Sequence, residues 1–222
     1  LPLPPSFPRR QAALVAGAMT DTEKHVILRL GTRASPLAMR QAEMTRAALV
    51  AAHGWPNEAV ALVPMVATGD RIQDRALAEV GGKALWTKEL DSALDNGLID
   101  AAVHSMKDVE TLRPDRFRLA AMLARADVRD RLVGAESVAS LPQAARIGTS
   151  SPRRSAQLKH MRGDLEIVLL RGNVGTRLQK ISDGAADATL LAAAGPDRLG
   201  MYDVGHAVPV AEMCPAPAQG AI

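Results

Sequence analysis

The sequence has very few aromatic residues and a single cysteine. Phe, Trp and Tyr make up 2% of the 222 residues, so a surface that stacks nucleic-acid bases on aromatic rings is not expected. Cys214 alone cannot form an internal disulfide, and this suits a cytoplasmic protein. No apolar run is long enough to span a membrane. The composition therefore argues against a nucleic-acid partner, a membrane protein and a disulfide scaffold.

The sequence also lacks the spacing of metal ligands. No pair of cysteines supports a zinc site, and the histidines are scattered singly along the chain. We therefore expect no metal. The histidines are His25, His53, His104, His160 and His206.

Arginine is the charged residue that stands out. The chain has 21 Arg and 6 Lys, although the net charge is only +3. The planar guanidinium binds carboxylates and phosphates through two parallel hydrogen bonds. This bias favours a small polyanionic ligand, while high-GC codon usage is an alternative cause of the same count.

The first 24 residues differ from the rest of the chain. Four prolines fall within residues 1–8, and Arg9 and Arg10 precede an Ala-rich run. We interpret residues 1–24 as a disordered extension. A secretory leader is the alternative, because a twin arginine followed by an apolar run loosely resembles one.

The remaining sequence alternates short apolar strands with helices. Val26–Leu30 predicts a strand, and Ser35 and Pro36 predict the start of a helix that stops at Gly54. Backbone amides at that helix start, with Arg33 beside them, could bind an anion. A strand over residues 60–66 and a long loop over residues 67–83, either a lid or disordered, come next.

The stretch from Ile99 to Val109 is the most informative in the first half. It begins as a short apolar run, which predicts a buried parallel strand, and ends in Lys107 and Asp108. Ligands of open α/β sheets bind beyond the carboxyl ends of strands, so Asp108 is a candidate reactive group. The alternative is a solvated Lys–Asp pair in a surface turn.

The second half repeats the strand–turn–helix pattern. Residues 117–123 are apolar, and the charged run over residues 125–130 predicts a domain boundary. A strand over residues 146–148 leads to hydroxyl residues, Pro152 and two arginines, which is the strongest anion-binding signal in the sequence. A strand over residues 166–170 leads to a second arginine-rich turn, 171–177.

Several of these stretches together resemble the hydroxymethylbilane synthase, or porphobilinogen deaminase, family. They run in family order from Leu28 to Ile222 and are highly specific in combination. The matching stretches are LRLGTRASPLA, LVPMVATGD, VGGKALWTKEL, AAVHSMKD, IGTSSPRR, LRGNVGTRL and PAPAQGAI.

The resemblance implies an α/β fold with two domains of the type II periplasmic-binding-protein class, joined by hinge segments. We expect domain 1 over residues 25–125, with residues 215–222 returning to it, and domain 2 over residues 126–214. The family joins four porphobilinogens head to tail on a dipyrromethane cofactor, releases ammonia at each step, and yields hydroxymethylbilane for tetrapyrrole (heme or chlorophyll) biosynthesis. The resemblance implies a cytoplasmic transferase that acts as a monomer on porphobilinogen.

The resemblance also assigns roles to individual residues. Asp108 matches the catalytic carboxylate, which assists loss of ammonia and stabilises the cationic azafulvene. The positions that hold cofactor and substrate carboxylates match Arg33, Ser35, Lys83, Ser105, Lys107, Thr149, Ser150, Ser151, Arg153, Arg154, Arg171, Gly172, Arg177 and Gln219.

One part of the family pattern has no counterpart in these residues. The family carries its cofactor on a Gly-Gly-Cys in a third α+β domain after the Gln-Gly-Ala stretch, and Cys214 lies before that stretch. We therefore expect a chain truncated before the cofactor-attachment domain. The alternative function is a truncated, non-catalytic two-lobed binding protein for anionic small ligands.

Overall fold

The computed structural model describes residues 25–67 and 86–222. The predicted extension over residues 1–24 and the predicted ligand Lys83 lie outside these residues, as does the predicted loop beyond Ala67. The described chain forms two β-sheets with helices packed beside them. The α/β class predicted from the sequence is confirmed.

The first sheet has three parallel strands in the order β2-β1-β3. Ser35 caps the first helix by accepting a hydrogen bond from the Ala38 amide, Pro36 follows, and Gly54 ends the helix in the left-handed conformation, as predicted. The elements are β1 (Leu28–Arg33), α1 (Pro36–His53), a 3-10 turn (Asn57–Ala59), β2 (Val60–Met65), α2 (Lys88–Asp95) and β3 (Ala101–Ala102). Because β1 and β3 are adjacent and parallel, the residues that follow them meet at one edge of the sheet.

The second sheet has five strands in the order β6-β5-β7-β4-β8. Strand β5 is parallel to β6 and β7, whereas β4 is antiparallel to β7 and β8. The elements are β4 (Asp130–Val133), β5 (Arg146–Gly148), α3 (Pro152–Met161), β6 (Glu166–Val168), α4 (Val174–Ser182), β7 (Ala188–Ala192), α5 (Ala194–Arg198) and β8 (His206–Ala207).

Strand β4 was not predicted. Its first residue, Asp130, is the last residue of the charged run that we interpreted as a domain boundary. The apolar residues 117–123, in contrast, form neither helix nor strand. Leu119 and Met122 are more than half exposed there, so this run covers the surface rather than filling a core. Apolar composition alone was therefore a poor guide to strand position between residues 110 and 133.

Each sheet has its own apolar core. Leu132, Ile147, Leu158 and Leu190 are among the fully buried residues of the second sheet. Leu30 and Val60 belong to the core of the first sheet, which also includes Ile222. The last residues of the chain therefore pack against the first sheet.

Two segments cross between the sheets side by side. The Ala126 amide donates to the Gly220 carbonyl at 3.1 Å, and the Leu123 amide donates to the Ile222 carbonyl at 3.2 Å. These contacts and the packing of Ile222 agree with a return of residues 215–222 to the first half. The division into two domains stays a prediction.

No helix within residues 25–67 and 86–222 combines the length and the apolar character needed to cross a membrane.

Replacing Gly220 with alanine tests how tightly the two crossing segments pack. Gly220 and Gly200 both have left-handed backbone, with φ of +87° and +76°, so alanine strains each by about 1 kcal/mol or more. Only at Gly220 would the new Cβ also lie 2.6 Å from the Ala126 carbonyl oxygen. We expect Gly220→Ala to lower the free energy of unfolding by about 2 kcal/mol more than Gly200→Ala, measured by urea denaturation. Equal losses would contradict this close approach.

Candidate functional site

A pocket opens at the carboxyl ends of β1 and β3. Arg33 ends β1, while Ser105 and Asp108 follow β3, so three of the predicted site residues share this pocket. Ser35 caps α1 and is not among the residues that line this pocket. The lining consists of Arg33, Ala38, Gln41, Trp86, Val103, His104, Ser105 and Asp108.

The Arg33 side chain joins two walls of this pocket. Its guanidinium carbon lies 4.1 Å from the centroid of the Trp86 ring, within range of a cation–π interaction. Its Nη1 lies 3.8 Å from Oδ2 of Asp108. Arg33 and Asp108 keep 20% and 29% of their side-chain surface exposed, so both can reach a ligand.

A short 3-10 turn over residues 106–108 presents Lys107 and Asp108. The Asp108 amide donates to the Ser105 carbonyl at 2.9 Å, and the Met106 amide donates to the Ala221 carbonyl at 3.1 Å. The turn that carries the candidate catalytic carboxylate is therefore anchored to the returning C-terminal segment.

Lys107 connects this turn electrostatically to the second sheet. Lys107 retains solvent exposure, yet the protein crowds around it and desolvation lowers its pKa. Asp108 and Asp130 oppose this shift, while Arg154 and Arg177 add to it. The charges of Lys107 and of two second-sheet arginines therefore act on one another.

The second sheet contributes two turns that each precede a helix. Ser151 caps α3 by accepting from the Arg154 amide at 3.4 Å, and the Thr149 hydroxyl oxygen accepts from the Ser151 amide at 3.1 Å. Thr149 is buried and Ser150 is half-buried at the end of β5. The turn before α3 was correctly predicted from Ser, Pro and the paired arginines.

The arginines of the second turn lie close to one another. Burial lowers the pKa of Arg177 to about 10, with further contributions from Arg154 and Arg171. Arg177 stays protonated at neutral pH, and its Nε donates to the Gly172 carbonyl at 2.9 Å. Arg177 is thus within electrostatic range of Arg154 and Arg171, and we call these three residues the cationic region; an anion bound at Arg177 would relieve this repulsion.

Arg153 and Arg154 share a buried counter-ion, Asp130, that the sequence analysis missed. Nη2 of Arg153 and Nη2 of Arg154 each lie 2.7 Å from an Asp130 carboxylate oxygen. The Asp130 side chain has no exposed surface. Arg154 also donates to the Leu190 carbonyl at 2.9 Å. The sequence signal for this residue was an aspartate at the end of a charged run, two residues before the apolar Leu132.

Gln219 is the third partner of Asp130. Its Nε2 donates to the Asp130 carboxylate at 2.9 Å and to the Val128 carbonyl at 2.7 Å. Gln219 is fully buried, and Arg154 and Arg171 keep only 6% and 5% of their surface exposed. The structure therefore places these three residues on the buried side of the site, and their predicted contact with a ligand stays a prediction.

His104 is a further titratable residue of the pocket. Burial lowers its pKa to about 4, and its Nε2 atom is buried without a hydrogen-bond partner. His104 is therefore neutral at physiological pH and supplies no charge to a ligand.

The described geometry agrees with the comparisons to known proteins. A family described as "Porphobilinogen deaminase, dipyromethane cofactor binding domain" matches residues 28–222. The chain belongs to the porphobilinogen deaminase family. It is 66% identical over 200 residues to the porphobilinogen deaminase of Sphingopyxis alaskensis. That match covers 88% of this chain and 64% of the relative, so the chain spans less than two thirds of the relative's length.

Solved structures of low sequence identity also match. The unliganded L-cystine solute receptor of Neisseria gonorrhoeae is 16% identical, with a TM-score of 0.40, over 93% of this chain and 83% of the receptor. The probable amino-acid ABC transporter extracellular-binding protein YtmK of Bacillus subtilis is 13% identical, with a TM-score of 0.40, over 87% and 80% of the two chains.

Asp130 gives a test of how the site of this deaminase-family chain is held together. Replacing Asp130 with alanine leaves two guanidinium groups without their buried counter-ion. We expect Asp130→Ala to lower the free energy of unfolding by about 3–5 kcal/mol, measured by urea denaturation. Asp95→Ala is the matched control, because Asp95 pairs with Arg116 at 2.8 Å on the surface and its loss should change stability little. A loss no larger than that of the control would contradict the role of Asp130.

The contribution of Asp130 to the free energy of unfolding should decrease at low pH. Burial would raise the pKa of Asp130, but Arg154 and Arg153 outweigh burial and lower it. The stabilisation is therefore complete above the unfolded-state pKa of about 3.9 and is lost as the pH falls through the lower folded-state pKa. We expect Asp130→Asn to remove this part of the acid dependence of stability.

Proposed function

We propose that this chain carries out the reaction of its family, the head-to-tail condensation of porphobilinogen units with loss of ammonia to give hydroxymethylbilane. The observation that carries the proposal is the position of Asp108. It lies at the end of a parallel strand, 3.8 Å from Arg33, on a turn whose Lys107 interacts with the second-sheet arginines. A single carboxylate thus sits at the edge of a strongly cationic region.

The cationic region suits the substrate. Each porphobilinogen carries an acetate and a propionate, so a growing chain of pyrroles is a polycarboxylate. Beyond the effect of burial, the charges of Arg154 and Arg171 lower the pKa of Arg177, and Arg177 in turn lowers the pKa of Lys107. Bound carboxylates would relieve this repulsion, and each charge-assisted hydrogen bond would be stronger than a neutral one.

The same residues fit the dipyrromethane cofactor named by the family description. A dipyrromethane presents several carboxylates on a short scaffold, and the donor set here consists almost entirely of arginine, lysine and hydroxyl groups. We infer that Lys107 and Arg177 would hold its carboxylates, with the half-buried Ser150 at the second-sheet edge. When bound, the cofactor supplies the pyrrole carbon to which the first substrate is joined.

Asp108 would supply a negative charge and a proton acceptor, which the cations of the site cannot. Loss of ammonia from the aminomethyl group builds positive charge on the pyrrole ring and its methylene. A fixed carboxylate next to that charge stabilises it and can move a proton to or from the pyrrole nitrogen. Arg33 contacts Asp108 and can hold a substrate carboxylate at the same time, because its guanidinium has several donors.

A binding protein for anionic small ligands is the alternative. Such a protein would use the cations of the site but would gain nothing from Asp108, because a carboxylate in the pocket repels an anionic ligand. The presence of Asp108 beside Arg33 therefore favours the enzyme.

We also propose a cytoplasmic monomer with two domains, 25–125 together with 215–222, and 126–214. A free, exposed Cys214 supports the reducing compartment. The separate apolar cores of the two sheets support the division into two domains.

Replacing Asp108 with asparagine tests the catalytic role. The change keeps the size of the side chain but removes its charge and its ability to take up a proton. We expect turnover of porphobilinogen by the full chain to fall by about 10²–10⁴-fold while porphobilinogen still binds. Consumption of porphobilinogen and release of ammonia are the measurements.

Asp115→Asn is the matched control, because Asp115 is an exposed aspartate in the same half of the chain. Asp108→Asn activity above about a tenth of wild type would overturn the catalytic assignment. Saturable binding of porphobilinogen by the wild type without any consumption would instead favour the binding protein.

A further inference from the structure

Gln41 is a buried polar residue of the pocket that the sequence analysis did not single out. It lies on helix α1, with 3% of its surface exposed, and lines the pocket together with Arg33 and Asp108. Its Nε2 donates to the Ser105 hydroxyl oxygen at 2.7 Å. This bond joins α1 to the segment that follows β3.

Ser105 is the residue from which the Lys107–Asp108 turn begins. Its carbonyl accepts from the Asp108 amide at 2.9 Å, and its hydroxyl does not cap the turn. A hydroxyl has one hydrogen to donate and two lone pairs to accept with. Because the Gln41 amide nitrogen can only donate, it occupies a lone pair and leaves the Ser105 hydrogen available to the pocket.

We propose that Gln41 is a positioning residue that directs the Ser105 hydroxyl hydrogen toward an anionic ligand. This inference rests on the proposed function, because the anion is a carboxylate of porphobilinogen. Gln41 acts through Ser105, so its contribution to binding should vanish when the Ser105 hydroxyl is absent. It should affect substrate binding rather than the chemical step carried by Asp108.

A double-mutant cycle measures whether Gln41 acts through Ser105. In the full chain we expect Gln41→Leu and Ser105→Ala each to raise the KM for porphobilinogen by about 3- to 10-fold, the effect of one hydrogen bond, with kcat changed less than about twofold. The double variant should be no worse than the weaker-binding single variant. Gln179→Leu, an exposed glutamine on α4, should leave KM unchanged.

Two outcomes of the cycle would overturn the inference. They are a KM for Gln41→Leu within about twofold of wild type, and a double variant whose KM increase equals the product of the two single increases.

Gln41→Met replaces Gln41→Leu if thermal melting indicates a loss of folding. If the wild type consumes no porphobilinogen, the proposed function fails, and the same cycle is measured on the Kd of porphobilinogen by calorimetry, with the same criteria.

The variant Gln41→Glu tests the direction of the hydrogen bond. A carboxylate at this position would accept the Ser105 hydrogen and repel the ligand. We expect KM to rise at least about tenfold at pH 8 and this defect to shrink toward pH 5.5, as the new carboxylate takes up a proton. A defect independent of pH, or smaller than that of Gln41→Leu, would overturn the inference.

The titratable groups around Gln41 do not obscure this pH dependence of KM. The charged groups that face it in the pocket are Arg33 on β1 and Asp108 on the turn, and His104 follows β3. His104 has a pKa of about 4 and stays neutral above pH 5.5. Because wild type and variant share these groups, the difference between their pH profiles reports the introduced carboxylate.

Discussion

The buried carboxylate of Asp130 is the contact on which the arrangement of the site depends. It receives hydrogen bonds from Arg153, Arg154 and Gln219, which belong to a helix start and to the returning C-terminal segment. Asp130 itself begins β4, directly after the chain has crossed from one sheet to the other. One carboxylate thereby fixes the crossing, the start of α3 and the end of the chain relative to one another. The guanidinium of Arg154 could not be buried there without it, because an unpaired buried charge costs several kcal/mol.

The charges of the site are consequently divided into two sets. Arg153 and Arg154 are balanced by Asp130 inside the protein, whereas Arg177 and Lys107 lie where burial and neighbouring cations lower their pKa values. Within this second set, the charge of Arg177 disfavours the charged form of Lys107. Under the proposed function, a polycarboxylate substrate would relieve that repulsion, and this would be the physical reason for a site rich in arginine. Asp108, beside Arg33, is the carboxylate to which we assign the chemistry in that proposal.

Local signals predicted much of the fold. Ser35 and Pro36, and Ser151 and Pro152, marked the starts of α1 and α3, because capping and proline geometry depend on neighbouring residues only. The parallel strand before Ser105 followed from its short apolar run, although only residues 101 and 102 pair with β1.

The rest depended on contacts between residues distant in sequence. Asp130 and Gln219 are 89 residues apart and Gln41 and Ser105 are 64 apart, so no local pattern could pair them. Strand β4 was hidden because its buried aspartate looks like a surface charge until its arginine partners are known. The family resemblance named most of the candidate ligand-binding residues, but it did not distinguish those on the surface of the site from those behind it.

The central claim is that the exposed Lys107 and the half-buried Arg177 bind the carboxylates of a pyrrole substrate. Calorimetric binding of porphobilinogen to Arg177→Gln tests it most directly, with Arg116→Gln as the control, because Arg116 pairs with Asp95 at the surface at 2.8 Å. The account predicts that Arg177→Gln weakens binding by about 30-fold or more and that Arg116→Gln leaves the Kd unchanged. Equal affinities of wild type and both variants would contradict the account.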